Sequence, residues 1–149
     1  MKEQGRIKLW TFWKQDSLFL DAENLLQANK YAEALVAFKK AWEENPEHYY
    51  LANYIQHLEL LQSPEYEDLK MTFNTYIGQY GNFELYKQND QFYYETNEGF
   101  IYKLLPLTES QFMIPSQLNS HIQIVKEAEK VKGLKFVYRD GKEEFHPRR

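Results

Sequence analysis

The chain has 149 residues, a formal net charge of −4 and an aromatic content of 17%, and this length fits one domain or two very small ones. The charges are too evenly balanced for the basic surface that binds a phosphate backbone, which excludes nucleic acid as an expected partner. There is no cysteine, which excludes disulfides and thiolate chemistry, and no apolar run is long enough for a membrane-spanning helix.

The N-terminal segment, residues 1–15, carries a group of large aromatic side chains. Trp10, Phe12 and Trp13 lie in it, and the segment fits either a strand or the end of a helix. We call it the N-terminal aromatic strap. One interpretation is that the strap packs back on the rest of the chain. The other is that it docks on an upstream domain or a second copy, because aromatic rings are enriched at protein contacts, and this makes Trp10, Phe12 and Trp13 the partner-contact candidates.

The first pair of predicted helices follows the strap. Asp16 and Ser17 are good N-cap residues, and apolar residues at helical spacing come directly after them. A second helix is predicted over 31–44. It ends at Asn45-Pro46, because the residue before a proline disfavours the helical conformation.

A second pair of helices is predicted over about 47–61 and 64–77. Ser63-Pro64 fits a cap followed by proline at the first helical position. The apolar spacing of the fourth helix repeats that of the second, through Leu69, Phe73 and Tyr76. The second pair is therefore a degenerate copy of the first.

The remainder of the chain has the pattern of short strands. The breaker cluster 78–82 marks the predicted domain junction. Beyond it, apolar and aromatic runs alternate with turn signals, a pattern typical of an antiparallel meander. The runs cover about 83–87, 91–96, 100–107, 111–115, 121–126, 132–139 and 142–146. We expect these seven strands to twist and curl into a half-barrel.

One segment carries the spacing of a helix-pair repeat. Its residues are Ala22, Leu25, Tyr31, Ala34, Phe38, Ala41 and Pro46. The helical half resembles tetratricopeptide (TPR) proteins on these positions. The resemblance implies helix pairs that stack on one another and contact other proteins. One such pair does not bury its own apolar face, so it needs a neighbour.

Four segments of the β half carry a second resemblance: 76–81, 102–107, 112–114 and 133–142. On these segments the β half is similar to the small C-terminal domains of bacterial β-lactamase-like and penicillin-binding-protein-like serine hydrolases. In such enzymes the catalytic residues lie in a separate upstream domain, so the resemblance implies an accessory role. It would place a fragment of a secreted hydrolase in the periplasm or cell envelope, and the chain is otherwise expected in the cytoplasm.

No catalytic residue, metal ligand or cofactor is predicted. Tyr80-Gly81-Asn82 has the Tyr-x-Asn form of β-lactamase-type sites, but no serine of this chain is followed by lysine three positions on, as that chemistry requires. The four histidines are scattered and lack the spacing of a helical zinc site. The Tyr-x-Asn segment is therefore interpreted as a turn.

A group of aromatic rings is expected on the concave side of the sheet. These rings are Phe92, Tyr94, Tyr102 and Tyr138. Core packing is their first interpretation. The alternative is that a small apolar or sugar ligand stacks on them, which makes them the ligand-contact candidates.

The sequence thus predicts an α+β fold, with two TPR-like helix pairs followed by a seven-stranded antiparallel meander. The expected domains are the strap (1–15), the TPR-like region (16–77) and the β-domain (78–149). The expected function is that of a non-catalytic accessory or protein-interaction module, and the alternative is a small-ligand binding domain. The expected partner is another protein or an upstream catalytic domain, and a homodimer through an exposed helix or the strap is a further option.

Overall fold

The computed structural model describes residues 17–117 and 120–149, so the strap and its candidates Trp10, Phe12 and Trp13 lie outside the described residues. The helices are α1 (Ser17–Gln27), α2 (Tyr31–Glu44), α3 (Tyr50–Leu61) and α4 (Tyr66–Asn74). The strands are β1 (Gly78–Tyr80), β2 (Phe83–Gln88), β3 (Gln91–Thr96), β4 (Ile101–Pro106), β5 (Gln111–Met113), β6 (Ser120–Glu127), β7 (Lys130–Tyr138) and β8 (Glu143–Pro147). The α+β class and the antiparallel sheet are confirmed.

The chain divides into two compact units, one that ends at Gln62 and one that begins at Ser63. The first contains α1–α3, and the second contains α4 and the sheet. The sequence placed the junction at Gly78 and grouped α4 with the other helices. The difference has a physical reason: the Phe73 ring of α4 packs 5.3 Å from that of Phe112 in β5, measured between ring centroids.

In the first unit, small residues let helices approach closely. Ala22 of α1 and Ala34 of α2 are completely buried, as is Phe38. The Phe38 ring stacks on that of Tyr54 in α3, with centroids 4.7 Å apart and planes within 8°, and Phe19 of α1 meets both rings edge-on. The bounds predicted for α2 are confirmed, whereas α3 begins later and α4 is shorter than predicted.

In the second unit, the strands follow one another in sequence order to form an eight-stranded sheet. The prediction of seven strands was wrong, because Gly78–Tyr80, which belongs to the breaker cluster, forms β1. Its three residues pair with β2 through a tight turn, in which Tyr80 lies opposite Phe83. Gly81 makes this turn in the left-handed region with φ of 54°, which glycine adopts without the steric cost of a side chain.

The first and last strands of the sheet meet. Tyr80 forms an antiparallel bridge with Arg148. The Gly81 N–H donates to the Pro147 carbonyl at 2.9 Å, and the Arg149 N–H donates to the Gln79 carbonyl at 2.9 Å. The meander is therefore a nearly closed, barrel-like sheet rather than the predicted half-barrel.

The side chain of Arg148 joins the same closure to the end of α4. Its guanidinium donates to the carbonyls of Thr75 at 3.0 Å and Ile77 at 2.8 Å, and it lies 5.5 Å from the centre of the Tyr80 ring. A cation at these carbonyls is favourable because the C-terminal end of a helix carries partial negative charge. One residue at the C-terminal end of the chain therefore holds both α4 and the edge of the sheet.

Candidate functional site

The structure brings three of the four ligand-contact candidates together. Tyr94 of β3 stacks on Tyr102 of β4, with ring centroids 4.8 Å apart. Burial raises the pKa of Tyr94, and the neighbouring Tyr102 and Tyr138 hydroxyls raise it further. The pKa of Tyr138 in β7 is raised as well, first by burial and then by the Glu144 carboxylate. The three rings therefore form one cluster on the inner side of the sheet.

Phe92, the fourth candidate, lies elsewhere in the same unit. Its ring is 5.9 Å from Phe73 of α4 and 5.9 Å from Phe112 of β5, between centroids. Only 6% of Phe92 and 4% of Tyr94 are exposed. Their side chains are therefore committed to core packing, which was the first interpretation of the aromatic group.

The inner side also holds an imidazole. His146 of β8 lies edge-on to Phe83 and to Phe136, with centroid distances of 4.7 and 5.2 Å. Its Nε2 atom is 3.6 Å from a carboxylate oxygen of Glu144 and accepts or donates no hydrogen bond within the described part of the chain. Aromatic rings thus fill this part of the interior, as expected for a nearly closed sheet of eight strands.

A concave site lies instead at the rim of the sheet. An open pocket of about 280 Å³ is formed where β1, β2 and β3 reach their turns. Its lining residues are Gln79, Asn82, Phe83, Glu84, Glu95, Thr96, Asn97 and Gly99. Polar side chains dominate this lining, in contrast to the aromatic interior.

The register of β2 and β3 places two carboxylates side by side. Glu84 lies directly opposite Glu95, and because side chains alternate between faces, both are on the face opposite the buried Leu85 and Tyr94. Neither glutamate forms an ion pair with any residue in 17–117 or 120–149. Like charges directly opposite each other destabilise a strand pair.

The same face continues with aromatic side chains. Tyr86 stacks on its cross-strand partner Tyr93, with ring centroids 5.6 Å apart and planes within 23°. Burial, and then the charge of Glu95, raise the pKa of Tyr86. In β4, Lys103 lies opposite Tyr93 and Ile101 lies opposite Glu95.

We call this surface the β1–β4 outer face and define it by Gln79, Glu84, Tyr86, Tyr93, Glu95, Ile101 and Lys103. Exposed apolar residues lie at its edge, since Phe100 is 60% exposed and Ile101 is 56% exposed. The face therefore combines paired carboxylates, stacked tyrosines and an apolar margin.

The turn between β2 and β3 is a sequence signal for this face that the alternation of apolar and polar residues does not include. Asn89 and Asp90 both have positive φ, of 53° and 64°, as a two-residue hairpin turn requires. Such a turn makes Gln88 and Gln91 partners, and counting back along both strands pairs Glu84 with Glu95. The turn thus fixes the register that creates the carboxylate pair.

Comparisons with protein-family models, with curated proteins and with solved structures gave no match. Within 17–117 and 120–149, no three histidine or acidic side chains are grouped so that they could hold a metal ion. In the same residues, no helix is both long and apolar enough to cross a membrane.

Proposed function

We propose that this chain is a non-catalytic protein-interaction module whose first unit is built on a TPR-like helix pair. The observation that carries the proposal is the packing of α1 against α2. Ala22, Ala34 and Ala41 are buried to 1% exposure or less, at the positions where the repeat has small residues. Helix pairs of this kind stack on neighbouring elements and present a surface to other proteins.

The aromatic contacts of Phe38 support the same proposal. Phe38 fills the space between α1, α2 and α3 through its contacts with Phe19 and Tyr54. The Tyr54 hydroxyl also donates to the Glu23 carboxylate of α1 at 3.3 Å. The third helix thus covers the first pair, which supports the proposal because a repeat pair needs a neighbour to bury its apolar face. The degenerate second pair of the TPR resemblance stays a prediction, because α4 belongs to the other compact unit.

The expected partner is another protein or an upstream catalytic domain. The link to a bacterial serine hydrolase rests on the sequence resemblance of the β half and stays a prediction. A decisive test of the non-catalytic role uses the full chain with chromogenic β-lactam and ester substrates. We expect no turnover above that of a heat-unfolded sample. Turnover that co-purifies with the folded chain through two unrelated purification steps would contradict the proposal.

The interaction role is tested by retention of a partner from native cells. We expect a partner that binds the wild-type chain and is lost from the Phe38→Ala variant, because that change disrupts the helical unit. The control is the Val36→Ala variant, since Val36 is 69% exposed and its removal leaves the α2 packing intact. A set of retained proteins that is the same for all three chains would contradict a role for the helix pair.

A further inference from the structure

We infer that the β1–β4 outer face is a docking surface for a basic segment of a partner protein, with an arginine side chain seated between Glu84 and Glu95. The inference rests on the proposed interaction function and names the chemistry of the partner. It is carried by charge complementarity, by the size and lining of the rim pocket and by the apolar margin of the face.

The carboxylate pair of the face favours a cation. Glu84 and Glu95 are directly opposite on adjacent strands, and in the described residues no lysine, arginine or histidine forms an ion pair with either of them. Two like charges in this position repel. A guanidinium removes the repulsion and offers a planar set of N–H donors, which suits two neighbouring carboxylates.

The pocket has the size and the additional acceptors for such a group. Its volume of about 280 Å³ accommodates one side chain rather than a folded element. Gln79, Asn82 and Asn97 also line it, and their amide oxygens are acceptors for N–H groups that the carboxylates leave free. The pocket is therefore large enough for the head of an arginine and offers acceptors beyond the two carboxylates.

The margin of the face suits the rest of a peptide. Ile101 is an exposed apolar residue that lies opposite Glu95, and the exposed Phe100 directly precedes it. The Tyr86–Tyr93 pair continues the face on the other side. Guanidinium groups and their aliphatic stems pack well on aromatic rings. A segment that alternates arginine with apolar residues thus matches both parts of the surface.

Two other ligand classes fit the face less well. A neutral sugar could stack on the tyrosines but would leave the carboxylate repulsion in place. A calcium ion usually takes six to eight oxygen ligands and several carboxylates, whereas this pocket offers only two acidic side chains among its lining residues. The basic segment is therefore the occupant that accounts for the charged and the apolar parts together.

The test uses the full chain and a fluorescein-labelled peptide of sequence Gly-Ile-Arg-Phe-Arg-Gly, with fluorescence anisotropy at low ionic strength. The first control is the same peptide with citrulline in place of arginine, which keeps the shape and removes the charge. We expect the citrulline peptide to bind at least about tenfold more weakly, which corresponds to the loss of one charge-assisted contact. We also expect added salt to weaken the arginine peptide, because screening acts on exposed charges.

The matched protein variants are Glu84→Gln/Glu95→Gln and Glu43→Gln/Glu44→Gln. Both remove the same net charge, but the second pair lies on the exposed side of α2. We expect the first variant to lose at least about tenfold in affinity and the second to stay within about twofold. In the absence of peptide, the first variant is also expected to unfold about 1–4 °C higher, because the repulsion is relieved.

Equal binding of both peptides, or of both protein variants, would overturn the inference, and so would a lower unfolding temperature of Glu84→Gln/Glu95→Gln. Stabilisation by calcium that this variant loses, without peptide binding, would overturn it in favour of a metal site. None of these results involves catalysis, so they leave the proposed non-catalytic function standing. Substrate turnover by the folded chain would overturn that function instead.

Discussion

The two compact units of this chain differ in where their stabilising contacts come from. In the helical unit, α1, α2 and α3 are consecutive and their main contacts, such as Phe38 with Phe19 and Tyr54, join neighbours in sequence. In the sheet unit, the closure joins Tyr80 to Arg148 across the whole meander. The local spacing of apolar residues is therefore sufficient to define the first unit, whereas the second unit depends on its C-terminal residues.

The largest effect is expected in the helical unit. Phe38→Ala removes a completely buried ring that contacts α1 and α3, and such a change costs about 3–5 kcal/mol in the free energy of unfolding. Urea denaturation followed by far-ultraviolet circular dichroism measures it. Val36→Ala on the exposed side of the same helix serves as the control and should be close to neutral. Equal effects of the two changes would show that Phe38 does not fill the space between the helices.

The next effect tests the sheet closure. Arg148→Ala removes two charged hydrogen bonds to the carbonyls at the end of α4, and we expect a loss of about 1.5–3 kcal/mol in the free energy of unfolding of the sheet unit. The matched control is Arg149→Ala, which keeps the backbone N–H that bonds to Gln79. A destabilisation by Arg149→Ala as large as that by Arg148→Ala would contradict the role of the Arg148 side chain.

A stabilising change is expected at the turn between β6 and β7. Ala128 and Glu129 have φ of 52° and 68°, a left-handed conformation that costs ordinary residues about 1–2 kcal/mol each. Replacing them by Asn-Gly should raise the free energy of unfolding by about 1–2 kcal/mol, since that pair suits the two-residue turn. Thermal denaturation measures the gain.

The Asn89-Asp90 turn between β2 and β3 provides the comparison for this change. Asp90 adopts the left-handed conformation more readily than Ala128, so Asp90→Gly is expected to give a smaller gain. A larger gain at Asp90 than at the Ala128-Glu129 turn would contradict the interpretation.

The smallest effect is a pH dependence from Tyr80. Burial raises the pKa of Tyr80 from 10.0 to about 12, although the nearby Arg148 lowers it. The folded chain thus keeps a proton that the unfolded chain loses near pH 10, so the stabilisation is complete below that pH and is lost as the pH rises to about 12. Tyr80→Phe removes this pH dependence. Because the Tyr80 hydroxyl donates to the Tyr76 carbonyl, the change also lowers the free energy of unfolding by about 0.5–1.5 kcal/mol at neutral pH. Urea titrations of both chains across this range measure the difference, and a difference that does not change with pH would contradict the prediction.

The sequence predicted the helices and most strands because their signals are local. The bounds of α2 and of β3 were read directly from apolar spacing and flanking turn residues. β1 was missed because its three residues begin with a glycine, are followed by another and contain only one large apolar side chain. Nothing within the β1 segment indicates that, besides pairing with β2, its Tyr80 bridges to Arg148 near the C-terminal end of the chain.

The candidate site was harder to predict than the fold. Three of the four predicted ligand-contact rings cluster, but they pack on one another, and Phe92 lies with the residues of α4 and β5. The carboxylate pair of the outer face depends on strand register, which the alternation of side chains does not define. The Asn89-Asp90 turn would have given that register, because a two-residue hairpin leaves only one pairing of its flanking strands.

Closure of the sheet by the C-terminal residues is tested most directly by hydrogen exchange at the Gly81 amide of the full chain. This amide bonds to the Pro147 carbonyl across the first and last strands. We predict exchange as slow as that of the β6–β7 ladder, and much slower than that of Glu98 in the exposed β3–β4 turn. Exchange of Gly81 as fast as that of Glu98, while the β6–β7 amides stay protected, would show that the sheet is open and would contradict the closure.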